Sequence, residues 1–159
     1  MMSFTNKLIG GTVAASLLLA SSVAMAEPTQ LVTHNTTSTV YSTIKVTSGI
    51  IPICSSIKSN GWSGPGQPNP EPTTWQDVKN LCGKFTGPTF PCSATVYFST
   101  NPNEGKNCQG AAVDVTIQED GSISPASTTF TTADGVTGTI TAAVKGADPE
   151  KYVEVDIAN

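Results

Sequence analysis

The chain has 159 residues, eight lysines, no arginine and twelve acidic residues, for a formal net charge of −4. That length suits about one domain with a real apolar core. The acidic balance and the missing arginine exclude the basic footprint of nucleic-acid binding, and they set aside anionic lipid surfaces as well.

Residues 1–26 read as an export signal. Lys7 supplies the positive start, an apolar run covers residues 8–20, and Ala24-Met25-Ala26 forms a small-x-small cleavage site before Glu27. Gly10, Gly11 and Thr12 interrupt the apolar run, so a retained anchor is not expected. Position 27 is not cysteine, so neither is a lipid anchor, and no membrane insertion is expected after cleavage. Residues 27–159 then form a single disulfide-linked β domain, with seven lysines against twelve acidic residues and a net charge of −5. All four cysteines, Cys54, Cys82, Cys92 and Cys108, lie in this part, and an even count in an exported chain predicts two disulfides. No Cys-x-x-Cys occurs, and the one histidine, His34, is far from any cysteine in sequence. No metal or other cofactor is expected on that spacing.

From residue 31 to 47 the chain is rich in Thr and Ser, with Val40, Ser42, Ile44 and Val46 alternating against Tyr41, Thr43 and Lys45. The β-branched content favours strand. Asn35-Thr36-Thr37 matches a glycosylation acceptor. Ile50-Ile51-Pro52-Ile53-Cys54 closes this region, Pro52 marking an edge or an end. Residues 60–74 hold three glycines, four prolines and Trp62, and read as an irregular Gly/Pro-rich loop. An ordered loop of that length in a small domain is a candidate for function. Thr74-Trp75-Gln76-Asp77 opens the one short helix: Thr74 can cap it, Trp75, Val78, Leu81 and Cys82 share a face, and Gly83 is placed to end it in a left-handed conformation.

The central feature follows. Residues 92–99 alternate Cys92, Ala94, Val96 and Phe98 with Ser93, Thr95, Tyr97 and Ser99, and residues 111–117 place Ala111, Val113, Val115 and Ile117 on one side. With turn residues at 101–105 between them, the two runs predict an antiparallel pair with one buried face. Turns at 119–122, 133–135 and 146–149 separate further alternating runs that end in Val153, Val155 and Ile157. Short strands at this spacing predict an all-β fold, an antiparallel β-sandwich or partly open barrel with one short helix and two disulfides. The 21 threonines of residues 27–159 suit exposed strand faces.

Four cysteines permit three pairings. If the central runs are hairpin partners, Cys92 and Cys108 stand about 20 Å apart along the strands, beyond the roughly 7 Å limit for bridged Cα atoms. Either the runs are not partners or the pairing crosses, for instance Cys54–Cys92.

Catalytic sets are sparse. His34 stands in a Thr/Asn-rich segment with no Ser or Cys motif to serve, Gly-x-Ser-x-Gly does not occur, and no acidic pair has a glycosidase setting. Asp114 alternates onto a polar strand face, while Glu119, Asp120, Asp134 and Asp148 fall at turns. Trp62, Trp75 and Tyr97 are the candidates for ligand binding, since aromatic platforms on sandwiches stack on sugars or anchor protein partners. Trp75 also starts an amphipathic helix that must bury a face, whereas Tyr97 points away from the Ala94/Val96/Phe98 side.

Thr33-His34-Asn35-Thr36-Thr37, the run from Cys92 to Tyr97, and Cys108-Gln109-Gly110 resemble small exported disulfide-containing proteins of Legionella-type bacteria, a group that implies no particular activity. A second likeness, to fimbrial subunits, rests on the signal, the Thr-rich β domain and an alternating final strand. Four cysteines, and Tyr152 lying eight residues from the end, depart from that pattern. The expected function is a secreted or periplasmic, non-enzymatic binding or adhesion module for a glycan or protein at or outside the envelope. The alternatives are a fimbria-like subunit assembling by strand exchange and a small carboxylate hydrolase.

Overall fold

Two five-stranded sheets face each other across one apolar core. The computed structural model describes residues 26–48, 54–55, 64–66, 72–84 and 86–159. Nearly all of the expected signal segment, and Trp62, lie outside these described residues.

In chain order the elements are β1 (Gln30–Asn35), β2 (Tyr41–Val46), β3 (Cys54–Ser55), β4 (Thr73–Thr74), α1 (Trp75–Leu81), β5 (Gly83–Lys84), β6 (Gly87–Pro88), β7 (Cys92–Ser99), α2 (Pro102–Lys106), β8 (Ala111–Ile117), β9 (Ile123–Ser124), β10 (Ser127–Thr131), β11 (Thr137–Lys145) and β12 (Tyr152–Ala158). One sheet has the order β10-β11-β12-β1-β4 and the other β3-β2-β7-β8-β9, while β5 and β6 form a separate two-stranded ribbon. The predicted central pair is present, with Cys92 opposite Ile117 and Phe98 opposite Ala111. The inward sides of the two sheets carry the alternating residues that periodicity assigns. Val153, Val155 and Ile157 of β12 meet Ile44, Val96, Val115 and Ile117 from the other sheet in one buried cluster. Phe98 and Phe130 stack across the gap with ring centroids 3.9 Å apart.

One pairing departs from the all-antiparallel expectation. β1 runs parallel to β12, Leu31 opposite Val153 and Asn35 opposite Ile157. Parallel neighbours need a long connection, and here almost the whole chain supplies it. Alternation within each strand carries no information about which strand lies beside it.

The turn from β1 to β2 is built on Asn35, which is wholly buried. Its Nδ2 donates to the Val40 carbonyl at 2.7 Å, and its Oδ1 accepts from the Thr37 amide at 3.1 Å and the Thr37 hydroxyl at 2.6 Å. The amide that the acceptor motif offers for glycosylation is therefore an internal turn support. Gly66, within the Gly/Pro-rich stretch, donates its amide to the Thr37 carbonyl at 2.8 Å.

Helix α1 starts as predicted, with Thr74 Oγ1 accepting from the Asp77 amide at 3.2 Å. It ends differently. Gly83 has no positive φ; Cys82 closes the helix, its amide bonded to Val78, and Gly83 already belongs to β5. A Cβ on Gly83 would lie 2.9 Å from the Asn80 carbonyl oxygen, so this glycine serves close approach. A second helix, α2, occupies what sequence reads as a turn, because Asn101 Oδ1 caps the Asn103 amide at 2.9 Å and Pro102 fits the first helical position. The count of one short helix is corrected to two.

The disulfides are Cys54–Cys108 and Cys82–Cys92, with Cα separations of 5.7 and 5.6 Å. The hairpin geometry does exclude Cys92–Cys108, but the crossed example Cys54–Cys92 is not the pairing adopted. Replacing Cys54 and Cys108 together by alanine should lower stability by about 4 kcal/mol, the chain-entropy value for a loop of this length. Urea unfolding measures that loss. Peptide mapping without reductant should return these two linkages alone.

Two turn carboxylates accept bonds from nearby hydroxyls. Asp134 accepts from the Thr132 hydroxyl at 2.6 Å and from the Thr100 hydroxyl at 2.8 Å, joining the β10–β11 turn to the end of β7. These bonds, Thr132 first, hold its carboxyl below the usual value, and bonds from Ser122 do the same for Asp120. A carboxyl depressed in the folded state contributes stability that is complete above its unfolded pKa and is lost as pH falls through the folded one. The thermal midpoint should therefore fall on acidification below about pH 4, and Asp134→Asn should flatten that limb when midpoints are compared across the range.

Candidate functional site

The register places Tyr97 on the outer face of the β3-β2-β7-β8-β9 sheet, between Thr43 of β2 and Ala112 of β8. Alternation puts Ser93, Thr95, Tyr97 and Ser99 outward, and β7 is the central strand of its sheet. Beside Tyr97, Thr95 donates to Asp114 Oδ1 at 2.7 Å, and Lys45 is the opposite neighbour of Thr95.

This face is closed at one end. Helix α2 lies over it, with Gly105 packed so tightly on Tyr41 that a Cβ there would collide with the Tyr41 Cβ. Ser99 is buried beneath, its Oγ donating to Glu104 Oε2 at 2.7 Å. Thr43, outward by register, is only 2 % exposed, and its Oγ1 has no hydrogen-bond partner among the described residues. Cys54, opposite Lys45 in the register, reaches Cys108 just after α2, so one disulfide anchors the cover to the sheet. Cys108 takes a left-handed φ of 51°, a conformation an L residue adopts only when neighbours hold it. Gly110 follows at φ 106°, where a Cβ would strike the Phe98 carbonyl oxygen. Tyr97, half-buried, thus stands at the boundary between the covered end and the open end of Ser93, Thr95, Asp114 and Thr116.

The other two aromatic candidates do not join it among the described residues. Trp75 is 3 % exposed, stacks on Phe90 at 6.3 Å, and leaves its Nε1 buried without a partner. Such an indole offers no face to a surface ligand. Trp62 lies outside the described residues. Tyr41 and Thr43, which the register brings to Tyr97, carry no sequence signal for this; the pairing of β2 with β7 had to be known first.

The remaining polar groups are scattered. His34 is on the outer face of the opposite sheet, its Nε2 3.8 Å from Glu154 Oε2, and Lys145 Nζ is 3.9 Å from Glu154 Oε1. Partly exposed pairs at such distances contribute little to stability. All four cysteines are bridged. Among the described residues no group of three His, Cys, Asp or Glu side chains could hold a metal ion, and no helix is long and apolar enough to cross a membrane.

A disulfide-stapled β-sandwich with a partly covered polar face is the class these features define. The family model described as T2SS substrate NttC matches residues 5–146, and the chain belongs to that family. No curated protein and no solved structure matches it. As a substrate of a bacterial secretion system the protein is exported, which accords with the two disulfides of an oxidising compartment. The likeness to small exported bacterial proteins is met at that level.

The contrast between the two aromatic residues is measurable in stability. Trp75→Ala should cost about 3–5 kcal/mol, as for large core aromatics, and Tyr97→Ala about 1 kcal/mol, as for an ordinary substitution. Urea unfolding monitored by circular dichroism distinguishes them.

Proposed function

We propose that the protein is a non-enzymatic binding module that acts at or outside the bacterial envelope and engages a glycan or protein partner through the sheet face around Tyr97. The observation that carries this reading is the position of Tyr97. It is a half-buried aromatic on a central strand, bordered by hydroxyl and carboxylate groups and lying beside the disulfide-anchored cover. A tyrosine ring loses little conformational entropy on binding and offers both a flat apolar face and a hydroxyl. Export of the family supports a role at or outside the envelope.

Polymerisation by strand exchange has less support. Both β1 and β12 are interior strands of their sheet and pair with one another, so neither is poised to leave for a neighbouring copy. A carboxylate hydrolase has less support: among the described residues Asp114 is engaged by Thr95, while Asp120 and Asp134 serve turns.

The test is retention of the secreted protein on a glycan array and on immobilised extracellular proteins. A specific signal that Tyr97→Ala reduces at least about tenfold, the loss expected of an energetically dominant residue at the centre of an interface, supports the reading. A specific signal unchanged by both Tyr97→Ala and Trp62→Ala removes this face as the site.

A further inference from the structure

Among the described residues the two five-stranded sheets have four edge strands, and three of them are blunted. β4, β3 and β9 are each two residues long and offer a neighbour almost no open ladder. The fourth edge, β10, runs for five residues, Ser127-Thr128-Thr129-Phe130-Thr131. It carries neither charge nor proline, the usual guards of an exposed edge.

The bonds at its two ends fix which backbone groups are open. Thr132 donates its amide to the Val136 carbonyl at 2.9 Å, and Ala142 donates to the Ala126 carbonyl at 2.8 Å. Between them Thr128 stands opposite Ile140 and Phe130 opposite Gly138. Bonded and non-bonded positions alternate in an antiparallel pair, so Thr128 and Phe130 are the residues that bond to β11. Ser127, Thr129 and Thr131 turn amide and carbonyl the other way, towards the open edge. All three are exposed, and no described strand pairs with them there.

The strand is complementary to itself. A two-fold axis through Thr129 sets it opposite Thr129 of a second copy, and Ser127 opposite Thr131. Each of these residues then donates and accepts once across the axis. The outward side chains that meet are all hydroxyls, a favourable cross-strand pairing. Within one copy Thr131 and Thr137 already lie hydroxyl to hydroxyl at 3.2 Å. No charge meets its like along the strand. A foreign peptide added to an edge is selected by pockets for alternate side chains, whereas this edge presents a row of short hydroxyls that its own copy matches.

We infer that β10 is a homodimer interface, through which two copies pair edge to edge along Ser127–Thr131 and join two five-stranded sheets into one. The contact is isologous, so it closes as a dimer. No strand leaves its own sheet, unlike strand exchange, and the Tyr97 face on the other sheet stays open. One short strand from each copy makes an interface below the standard size, so the dimer is weak.

Sedimentation equilibrium of the oxidised, secreted protein from about 10 µM to 1 mM, a span suited to weak association, tests this. The weight-average mass should rise with concentration towards twice that of one chain. Thr129→Pro removes an amide that β11 does not use, and an edge strand tolerates proline at such a position. It should hold the mass at one chain throughout, with circular dichroism unchanged. Thr129→Lys keeps the backbone amide and brings two ammonium groups together at the axis. It should weaken association at least about tenfold. Tyr97→Ala should associate as the unaltered chain does. A single-chain mass up to about 1 mM overturns the proposal. So does association that survives both Thr129 variants, or that Tyr97→Ala abolishes.

Discussion

The parallel pairing of β1 with β12 is the constraint on which the rest of the architecture depends. It sets Leu31 beside Val153 and completes the inner wall of one sheet with residues more than a hundred positions apart. The Thr36 amide and hydroxyl extend the pairing by donating to the Ile157 carbonyl at 2.9 and 3.2 Å. From there the chain must cross to the other sheet, and the buried Asn35–Thr37–Val40 network makes that crossing by replacing ladder bonds with side-chain bonds. A loss at either place would uncouple the sheets, because β1 joins the wall formed by β12 to the strand that enters the opposite wall.

Contacts of such high sequence separation carry a large loop-closure cost, and the disulfides act on the same balance. Cys82–Cys92 is local: it holds the end of α1 against the start of β7, both ends fully buried. Cys54–Cys108 is long-range and pins the cover of the Tyr97 face. One bridge therefore stabilises the core and the other shapes the surface. The short helices depend on this arrangement, since α1 with seven residues and α2 with five are below the length that stands alone in water.

Features that depend on period and turn chemistry were legible in the sequence. The buried sides of β7, β8 and β12, the cap at Thr74, and the turns at Asp120-Gly121 and Asp134-Gly135 all follow from local residues. Features that depend on partner choice were not. Nothing in 30–35 says that its neighbour is 152–158, and nothing in Cys54 says that Cys108 is near. The candidate site divides the same way. The outward position of Tyr97 comes from alternation within one strand, while its neighbours Tyr41 and Thr43 come from cross-strand register and from a helix that reads as a turn. The buried hydroxyl of Thr73 is wholly a tertiary fact.

The surface chemistry narrows what such a face can recognise. Charged residues make up 13 % of the chain, and hydroxyl side chains occupy strand positions where lysine and glutamate often stand. Low charge weakens long-range steering, so on the proposed reading recognition would rest on short-range terms: an aromatic ring and fixed hydroxyl and carboxylate groups. The acidic excess disfavours anionic partners. Hydroxyl-rich strand faces also suit a secreted protein, since threonine combines strand preference with a hydrated outer surface. The same residue type, turned inward at Thr33 and Thr73, buries its hydroxyl with no protein partner among the described residues.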